Sequence, residues 1–314
     1  MIMARFEGVF RKYGTVLGLI LLVVLITIIN PRFITLDNIL NIFRQVSING
    51  LIAFGMTFVI LTGGIDLSVG AILALSGMLL GLMIAAGVPE LIAIPTVIIF
   101  GALLGLFNGI FVAKVKLQAF IVTLATMTMY RGITMIISDG IPAMGLTSDA
   151  PILNFFSQGS ILGLPFPMVL LLIVFVILMI LLKYTVFGRG VYAIGGNEEV
   201  ARLASLPTDR IKTMVYVISG TMAALAGVIL TSRLSSAQPT AGMMFELDAI
   251  AAVVIGGTSL AGGKGRLFGT LIGVLIIGVL NNGLNIIGVS AFYQQFIKGL
   301  VILLAVILDR KSTR

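Results

Sequence analysis

Long stretches without charged residues alternate with short polar segments along most of the chain. Several of these apolar stretches reach about 20 residues, the length that a helix needs to cross a hydrocarbon core of roughly 30 Å. Backbone polar groups in lipid must be satisfied within their own segment, so the stretches predict helices. The pattern predicts helices at approximately 14–30, 39–62, 68–87, 91–113, 118–138, 165–183, 213–232, 246–257, 267–287 and 291–308.

The composition agrees with a membrane protein that crosses the bilayer many times. Hydrophobic residues make up 59% of the 314 positions and charged residues only 10%, which does not fit an ordinary soluble domain. Segment 246–257 is short enough to be a re-entrant or broken helix. We therefore predict an all-α polytopic bundle of about ten transmembrane helices, with a range of eight to ten, that includes broken helices and forms a single domain over 1–314.

The positions of Lys and Arg predict the orientation of the bundle. If the N-terminus lies in the cytoplasm and the helices alternate, most of the 20 basic residues fall on the cytoplasmic side, as the positive-inside rule requires. Segments 1–13, 184–212 and 309–314 are then all cytoplasmic, as are both termini. The net charge of +8 is scattered between spans instead of forming one stripe, so a nucleic-acid partner is not expected.

The residue types exclude most catalytic chemistry. The chain contains no Cys and no His, which rules out disulfides, thiolate or imidazole metal sites, and Ser-His or Cys-His nucleophile pairs. The stretch "GGTSLAGGKG" superficially resembles a nucleotide phosphate loop, but Lys264 is followed by Gly265 where Ser or Thr should hold Mg²⁺. We expect no catalytic residue, no metal site and no cofactor in this chain, so any ATPase must be another chain.

The segment "GGNEEVARLASLPTDRIK" is the longest polar element on the predicted cytoplasmic side. Asn197 is a plausible N-cap of a short helix over 198–206, with two acidic residues in its first turn, and Pro207 ends the run. Two interpretations are open. The segment is either a solvated connecting loop or a docking surface for a soluble partner.

Two glycine-rich stretches interrupt the apolar pattern. In "TGGIDLSVG", Gly63 and Gly64 break the helix, and Asp66 or Ser68 can satisfy backbone donors at the next N-terminus. The alternative to a structural cap is a discontinuous helix that lines a polar path. The stretch 256–265 shares the spacing GGxxLxxG at an offset of 193 residues, which suggests a duplication with both breaks on the same membrane side.

Some polar and small residues lie within apolar helices. Lys298 either pairs with an acid such as Glu246 or Asp248 or extends to the outer interface. The small residues of "SGTMAALAG" form a close-packing face, for helix packing within the subunit or for a dimer contact.

Five long stretches together resemble one family, the transmembrane permease subunits of bacterial ABC importers for monosaccharides, and among these the ribose permeases most closely. The stretches are "TGGIDLSVGAILALSG", "QAFIVTLATMTMYRGIT", "YAIGGNEEVARLASL", "LSSAQPTAGMMFELDAIAAVVIGGTSLAGGKGRLFGTLIG" and "NNGLNIIGVSAFYQQFIKGLVILLAV". The likeness covers nearly the whole chain, from about residue 30 onward.

The resemblance implies a location in the bacterial cytoplasmic (inner) membrane and a set of partners. These are a second copy of the permease, a cytoplasmic ATPase with two nucleotide-binding modules that binds ATP and Mg²⁺, and an extracytoplasmic sugar-binding protein. It also implies that the polar cytoplasmic segment couples to the ATPase, through Gly195, Gly196, Asn197, Glu198, Glu199, Ala201 and Arg202. Candidates for the translocation path are Asp66, Ser68, Asn281, Asn282 and Asn285, although the asparagines could equally bond helices together.

Three alternative functions are open at this point. The substrate could be autoinducer-2, xylose or galactose instead of ribose. An ion-coupled secondary transporter would need a mid-membrane acid or His relay, but His is absent and the acids lie mostly near helix ends. An intramembrane enzyme lacks the usual pairing of nucleophile and base.

Overall fold

The computed structural model describes residues 2–146 and 150–313 and is almost entirely helical. The helices in these ranges are α1 (Ile2–Ile29), α2 (Leu36–Leu61), α3 (Val69–Ala85), α4 (Glu90–Ala113), α5 (Ala119–Ser138), α6 (Pro151–Gln158), α7 (Phe166–Tyr184), α8 (Val186–Gly196), α9 (Glu198–Leu203), α10 (Thr208–Leu234), α11 (Phe245–Ile255), α12 (Leu267–Ile287) and α13 (Ala291–Thr313). A 3₁₀ turn, Pro31–Ile34, connects α1 to α2.

Four strands of two residues each form two small antiparallel ribbons. Strand β1 (Ala143–Met144) pairs with β4 (Ser236–Ala237), and β2 (Ser160–Ile161) pairs with β3 (Leu164–Pro165). The first ribbon joins the end of α10 to the segment that follows α5, two points far apart in the sequence.

All ten helices predicted from the apolar pattern are present, and most of their ends agree within three residues. The exceptions are the start of α1, the start of α10 and the end of α13, where the helix continues into a charged segment. In α10 the first turn carries Asp209, Arg210 and Lys212. Apolar patterning locates the part of a helix that is in lipid or protein, but the helix itself continues into water. Helices α6 and α8 were not predicted.

The predicted helix over 198–206 is shorter in the structure, because α9 ends at Leu203. Ser205 has a φ of 61°, in the left-handed region, and the backbone N–H of Leu206 donates to the carbonyl of Ala201 at 3.1 Å. This turn closes α9 before Pro207. The residue before a proline is disfavoured in the helical region, so Leu206 could not continue the helix.

Helices α2 and α10 form the centre of the bundle. Most of α2 is buried, and α10 packs against α2, α3 and α4. The predicted small-residue face of α10 makes these contacts: a Cβ on Gly220 would overlap the carbonyl oxygen of Gly101 and lie 2.9 Å from Gly105. Close backbone approach requires glycine at such crossings. The "SGTMAALAG" face is therefore used for packing within the chain.

Six helices, α2, α4, α5, α7, α10 and α12, are long and apolar enough to cross a membrane. Three shorter apolar helical segments, Gly14–Ile29, Val69–Ala85 and Ala291–Leu304, add to them. Outward-facing Leu and Ile side chains on α1 and α4 are about half exposed or more, for example Ile28 at 73% and Leu91 at 76%. Such surfaces suit lipid and not water. The structure thus has the character of an all-α polytopic membrane protein.

Candidate functional site

The polar segment that follows α8 folds into a short helix, α9, that is held by charged contacts. The Asn197 side chain accepts a hydrogen bond from the N–H of Val200 at 3.0 Å, which confirms the predicted N-cap. Glu198 lies 3.3 Å from Arg202 within α9 and 2.9 Å from Lys212 on α10. These exposed pairs add little stability each, but together they fix the direction of α9 against the start of α10.

The residues implicated in coupling divide into an inward and an outward set. Ala201 is buried and faces the bundle. Glu199, Arg202 and Gly196 are exposed, so they form the surface that a soluble partner could contact. Helix α9 and these exposed residues therefore form a compact polar surface, which we call the polar knob. Its role in binding an ATPase stays a prediction.

Three backbone segments meet directly beneath this knob, at what we call the glycine junction: Leu61 at the end of α2, Gly195 at the end of α8, and Gly263 between α11 and α12. The N–H of Gly263 donates to the carbonyl of Leu61 at 2.9 Å. A Cβ on Gly195 would overlap both the Leu61 oxygen and the Gly263 nitrogen. Glycine is required at position 195 because three main chains approach within van der Waals contact there.

A side chain also ties α8 to the segment before α12. The hydroxyl of Tyr192 donates to the carbonyl of Gly265 at 2.9 Å. Burial raises the pKa of this phenol, and the nearby Arg266 guanidinium acts in the opposite direction with a smaller effect. Tyr192 is therefore a neutral donor at physiological pH. Together with the glycine junction it connects α8, which leads into α9, to both helix interruptions.

The two interruptions lie on the same side of the bundle, as the repeated spacing predicted. Gly63, with a φ of 78°, follows α2, and Gly257, with a φ of 85°, follows α11. The sequence comparison paired Gly63 with Gly256, whereas the structure gives the left-handed turn to Gly257, one position later. The turn occurs two residues after the last helical residue in both cases. Local geometry, and not the letter-by-letter match, defines the equivalence.

Asp66 is fully buried and forms the centre of a polar network. Its carboxylate accepts from the N–H of Ser68 at 3.0 Å, from the hydroxyl of Ser68 at 2.6 Å and from the hydroxyl of Ser219 at 2.8 Å. Asn108 donates to the Ser68 hydroxyl at 2.8 Å. The predicted satisfaction of backbone donors at the start of α3 is thus realised by Asp66. Asp66 and Ser68 are both 0% exposed, so their role on a translocation path stays a prediction.

A polar pocket of about 190 Å³ lies between α2, α10, α11, α12 and α13; we call it the central pocket. Lys298 Nζ is 2.9 Å from Asp248 Oδ2 on its wall, so Lys298 adopts the ion pair and does not extend to the interface. The Asp248 side chain is 5% exposed and that of Lys298 is 26% exposed. Charges within a membrane domain that face a cavity typically mark a solute path.

The structure separates the three candidate asparagines of α12. Asn281 lines the central pocket, and its side-chain oxygen is buried without a hydrogen-bond partner in the described part of the chain. Asn282 is buried and exchanges hydrogen bonds of 3.0 Å with Asn38 of α2, so it bonds two helices together. Asn285 is exposed. Of the three, Asn281 is the one that lines the central pocket.

Glu246, the other acid considered for Lys298, lies elsewhere. Its carboxylate approaches the start of α3, where a Cβ on Gly70 would lie 2.6 Å from Glu246 Oε2. The same region contains Arg131 of α5, whose guanidinium donates to the carbonyls of Pro239 at 2.9 Å and Ala241 at 2.7 Å. Arg131 therefore anchors the segment between α10 and α11.

Sequence reasoning missed four residues of the central pocket: Gln45 and Asn49 of α2, Arg233 of α10 and Phe245 of α11. Arg233 donates to the side chain of Asn41 at 3.1 Å. A signal existed for the first two, because Gln45 and Asn49 are four residues apart and lie on one face of α2 within a predicted membrane span. Nothing in the sequence indicated that Arg233 would join them.

The chain resembles known transport proteins over almost its entire length. The family model described as "Branched-chain amino acid transport system / permease component" matches residues 38–306. The chain is 58% identical to the ribose import permease protein of Bacillus subtilis (strain 168), covering 98% of this chain and 96% of that protein.

Two further relatives frame the similarity. The ribose import permease protein of Haemophilus influenzae is 53% identical, over 93% of this chain and 91% of that one. The D-allose transport system permease protein of Escherichia coli (strain K12) is 46% identical, over 95% and 91%. No solved structure matches the chain. The chain therefore belongs to the family of permease components of branched-chain amino acid transport systems.

Proposed function

We propose that this chain is the membrane-spanning permease subunit of an ATP-binding-cassette importer that moves ribose inward across the cytoplasmic membrane. The observation that carries this proposal is the 58% identity to a ribose import permease over nearly all of both chains. In the working assembly, two copies of the permease receive sugar from an extracytoplasmic binding protein. A separate ATPase with two nucleotide-binding modules binds ATP and Mg²⁺ in the cytoplasm and drives the cycle.

The orientation that fits this role places both termini in the cytoplasm, with about ten spans. The glycine junction and α9 then face the ATPase, while the ribbon of β1 and β4 faces the binding protein. The observed contacts support this arrangement, because the segments of Leu61, Gly195 and Gly263 are assigned independently to one side and they meet in space. The basic residues of that side agree with the positive-inside rule.

The central pocket is the place where a sugar would pass through the chain. It offers amide, carboxylate, ammonium and guanidinium groups together with the ring of Phe245, a mixture that suits a polyhydroxylated ring. The pocket volume of about 190 Å³ suits a solute of the size of one monosaccharide. Two of the polar groups, the carboxylate of Asp248 and the ammonium of Lys298, are already paired with each other. The pocket therefore gives up existing interactions when sugar binds, and weak binding permits release.

One experiment tests the transport function and the substrate together. The permease is reconstituted in lipid nanodiscs with its ATPase, and binding proteins loaded with ribose, allose, xylose, galactose or autoinducer-2 are added in turn. We expect ATP hydrolysis to rise only with the ribose-loaded protein. Stimulation by another loaded protein would show that its ligand, and not ribose, is the substrate. No stimulation by any of them, despite a stable complex, would contradict the importer assignment.

A second experiment tests the pathway and separates the alternatives. We expect Asn281→Leu to reduce ribose uptake into proteoliposomes severalfold, because it places an apolar group against the sugar, whereas Asn285→Leu leaves uptake close to wild type. The opposite result would move the path to the exposed face of α12. Uptake that collapses with an uncoupler at constant ATP would instead indicate an ion-coupled transporter.

A further inference from the structure

A groove of about 610 Å³, separate from the central pocket, opens where the cytoplasmic ends of α7 and α8 meet the start of α12. We call it the basic groove. Its wall contains three cationic side chains, Lys183, Arg189 and Arg266, and no acidic side chain. All three are exposed at the surface of the chain. The groove therefore concentrates positive charge in one place.

The three cations have no ionic partner in the part of the chain that the structure describes. The ion pairs found there involve other basic residues, namely Arg202, Lys212 and Lys298. Lys183 contacts only an aromatic face, with its Nζ 5.1 Å from the centre of the Tyr184 ring. Like charges that are left together without counter-ions raise the local potential and attract an anion.

The other wall of the basic groove is apolar. Leu182 and Leu267 are buried beneath it, at 4% and 2% exposure, while Met179 and Phe268 flank the opening, and Phe268 is 57% exposed. A free phosphate would gain nothing from this surface. A molecule that carries an anionic head and a hydrocarbon chain would use both walls.

The groove also lies at the depth of a membrane interface. The apolar sequence of α7 ends at Lys183, and that of α12 begins at Leu267. Tyr184 is 63% exposed beside it, in the position where interfacial aromatic residues collect. The distribution of Lys and Arg along the chain predicts that this end of the bundle is the cytoplasmic one. Basic pockets between helices on that side suit the head groups of anionic lipids.

We propose that the basic groove binds one anionic phospholipid of the cytoplasmic leaflet. The phosphate and its head group lie between Arg189 and Arg266, and the first part of an acyl chain follows Phe268 and Met179. The occupant is a lipid and not a free anion because the apolar wall continues from the charged one.

Such a lipid would hold together the same elements that the glycine junction connects. Arg189 belongs to α8 and Arg266 to the segment before α12, and Tyr192 already joins the two through its bond to Gly265. An anion shared by the two arginines stabilises the contact between α8 and the segment before α12. The groove would therefore make transport sensitive to lipid composition. This consequence depends on the proposed function, whereas lipid binding itself does not.

The test measures lipid binding to the purified, delipidated permease by native mass spectrometry. Dioleoylphosphatidylglycerol is titrated against dioleoylphosphatidylcholine, which has the same chains and no net charge. We expect preferential binding of the anionic lipid to wild type and about 30-fold weaker binding to Arg189→Gln/Arg266→Gln, about fivefold for each charge removed. Binding of the zwitterionic lipid should not change. A lysine pair at the same positions should bind nearly as wild type does.

The matched control is Lys114→Gln/Arg210→Gln, which removes the same charge from exposed cytoplasmic residues outside the groove. Its affinity for the anionic lipid should stay within about twofold of wild type. An equal loss in this control, or equal binding of both lipids by wild type, would overturn the proposal. So would full competition by inorganic phosphate, which would indicate a site for a free anion. Loss of ATPase co-purification with unchanged lipid binding would assign the groove to a protein partner.

Discussion

The glycine junction gives the sharpest prediction, because two adjacent glycines have opposite surroundings. Replacing Gly195 by Ala adds a methyl group that overlaps the Leu61 oxygen and the Gly263 nitrogen. Both obstacles are main-chain atoms, so no side-chain rotation relieves the overlap. At Gly196 nothing lies within 4 Å of an added Cβ. The pair Gly195→Ala and Gly196→Ala therefore compares the same chemical change with and without a steric cost.

The magnitude follows from general costs of overpacking. An added methyl group in a closely packed site costs about 1–3 kcal/mol. If the two main-chain segments move apart, the hydrogen bond from the N–H of Gly263 to the carbonyl of Leu61, worth about 1 kcal/mol, also weakens. Alanine gains about 0.5–1 kcal/mol over glycine in a helix, and this gain applies at both positions because both lie in the last turn of α8. The difference between the variants thus isolates the junction. Its overpacking part alone corresponds to a factor of about 5 to 150 in the equilibrium constant for keeping the native junction, and loss of the hydrogen bond would add a factor of about five.

The assay is ribose-stimulated ATP hydrolysis by the complete complex in nanodiscs, with sugar uptake into proteoliposomes beside it. We expect the stimulated rate of ATP hydrolysis to be about tenfold lower in Gly195→Ala than in Gly196→Ala. Both variants should still co-purify with the ATPase. Gly196→Ala should stay within about twofold of wild type. Wild-type stimulation in Gly195→Ala, or equal losses in the two variants, would refute the reasoning that the junction connects α9 to the helix interruptions.

The remaining predictions concern charged residues. We expect Glu198→Arg with Arg202→Glu to leave membrane insertion intact and to weaken ATPase association, measured by co-purification; normal recovery of the ATPase would argue against a docking role for α9. Lys298→Met should lower the unfolding temperature in detergent, because it leaves Asp248 buried without its partner at a cost of about 3 kcal/mol. Adding Asp248→Leu should restore most of that temperature but not sugar uptake, and a double variant as unstable as the single one would contradict the ion pair. Asp66→Ala should reduce the yield of folded protein, since it leaves buried donors unsatisfied at about 1–3 kcal/mol each, and Asp66→Asn should reduce it less.

Much of the fold was predictable because lipid imposes few choices on a chain. A helix is the only open segment that satisfies its own backbone in hydrocarbon, so apolar length alone located the spans. Local rules also worked at Asn197 and at Asp66, because the side chain there satisfies a backbone N–H only two or three residues away. Helix α8 was missed because it is amphipathic, short and rich in glycine, a composition that is typical of loops.

The candidate site was less predictable because its contacts join residues far apart in sequence. Lys298 was recognised as unusual from its own helix, but the choice between Asp248 and Glu246 depended on how α11 and α13 cross. The asparagines of α12 show the same limit. Their shared composition gives no distinction, whereas the helical rotation between adjacent positions places Asn281 in the pocket and Asn282 against Asn38.

The geometry also suggests how a movement of the polar knob could change the central pocket. Helix α2 carries Asn49 in the central pocket and Leu61 in the glycine junction, 12 residues apart in sequence, or about 18 Å along a helix. Because α2 is mostly buried and interiors are close-packed, we expect it to move as a unit. Helix α10 forms a second connection, since Lys212 contacts Glu198 near its start and Arg233 lines the pocket near its end. We therefore expect a shift of α9 to displace both walls of the pocket together. The comparison of Gly195→Ala with Gly196→Ala examines this link at its narrowest point, because a rigid α2 can transmit only what the junction transfers to it.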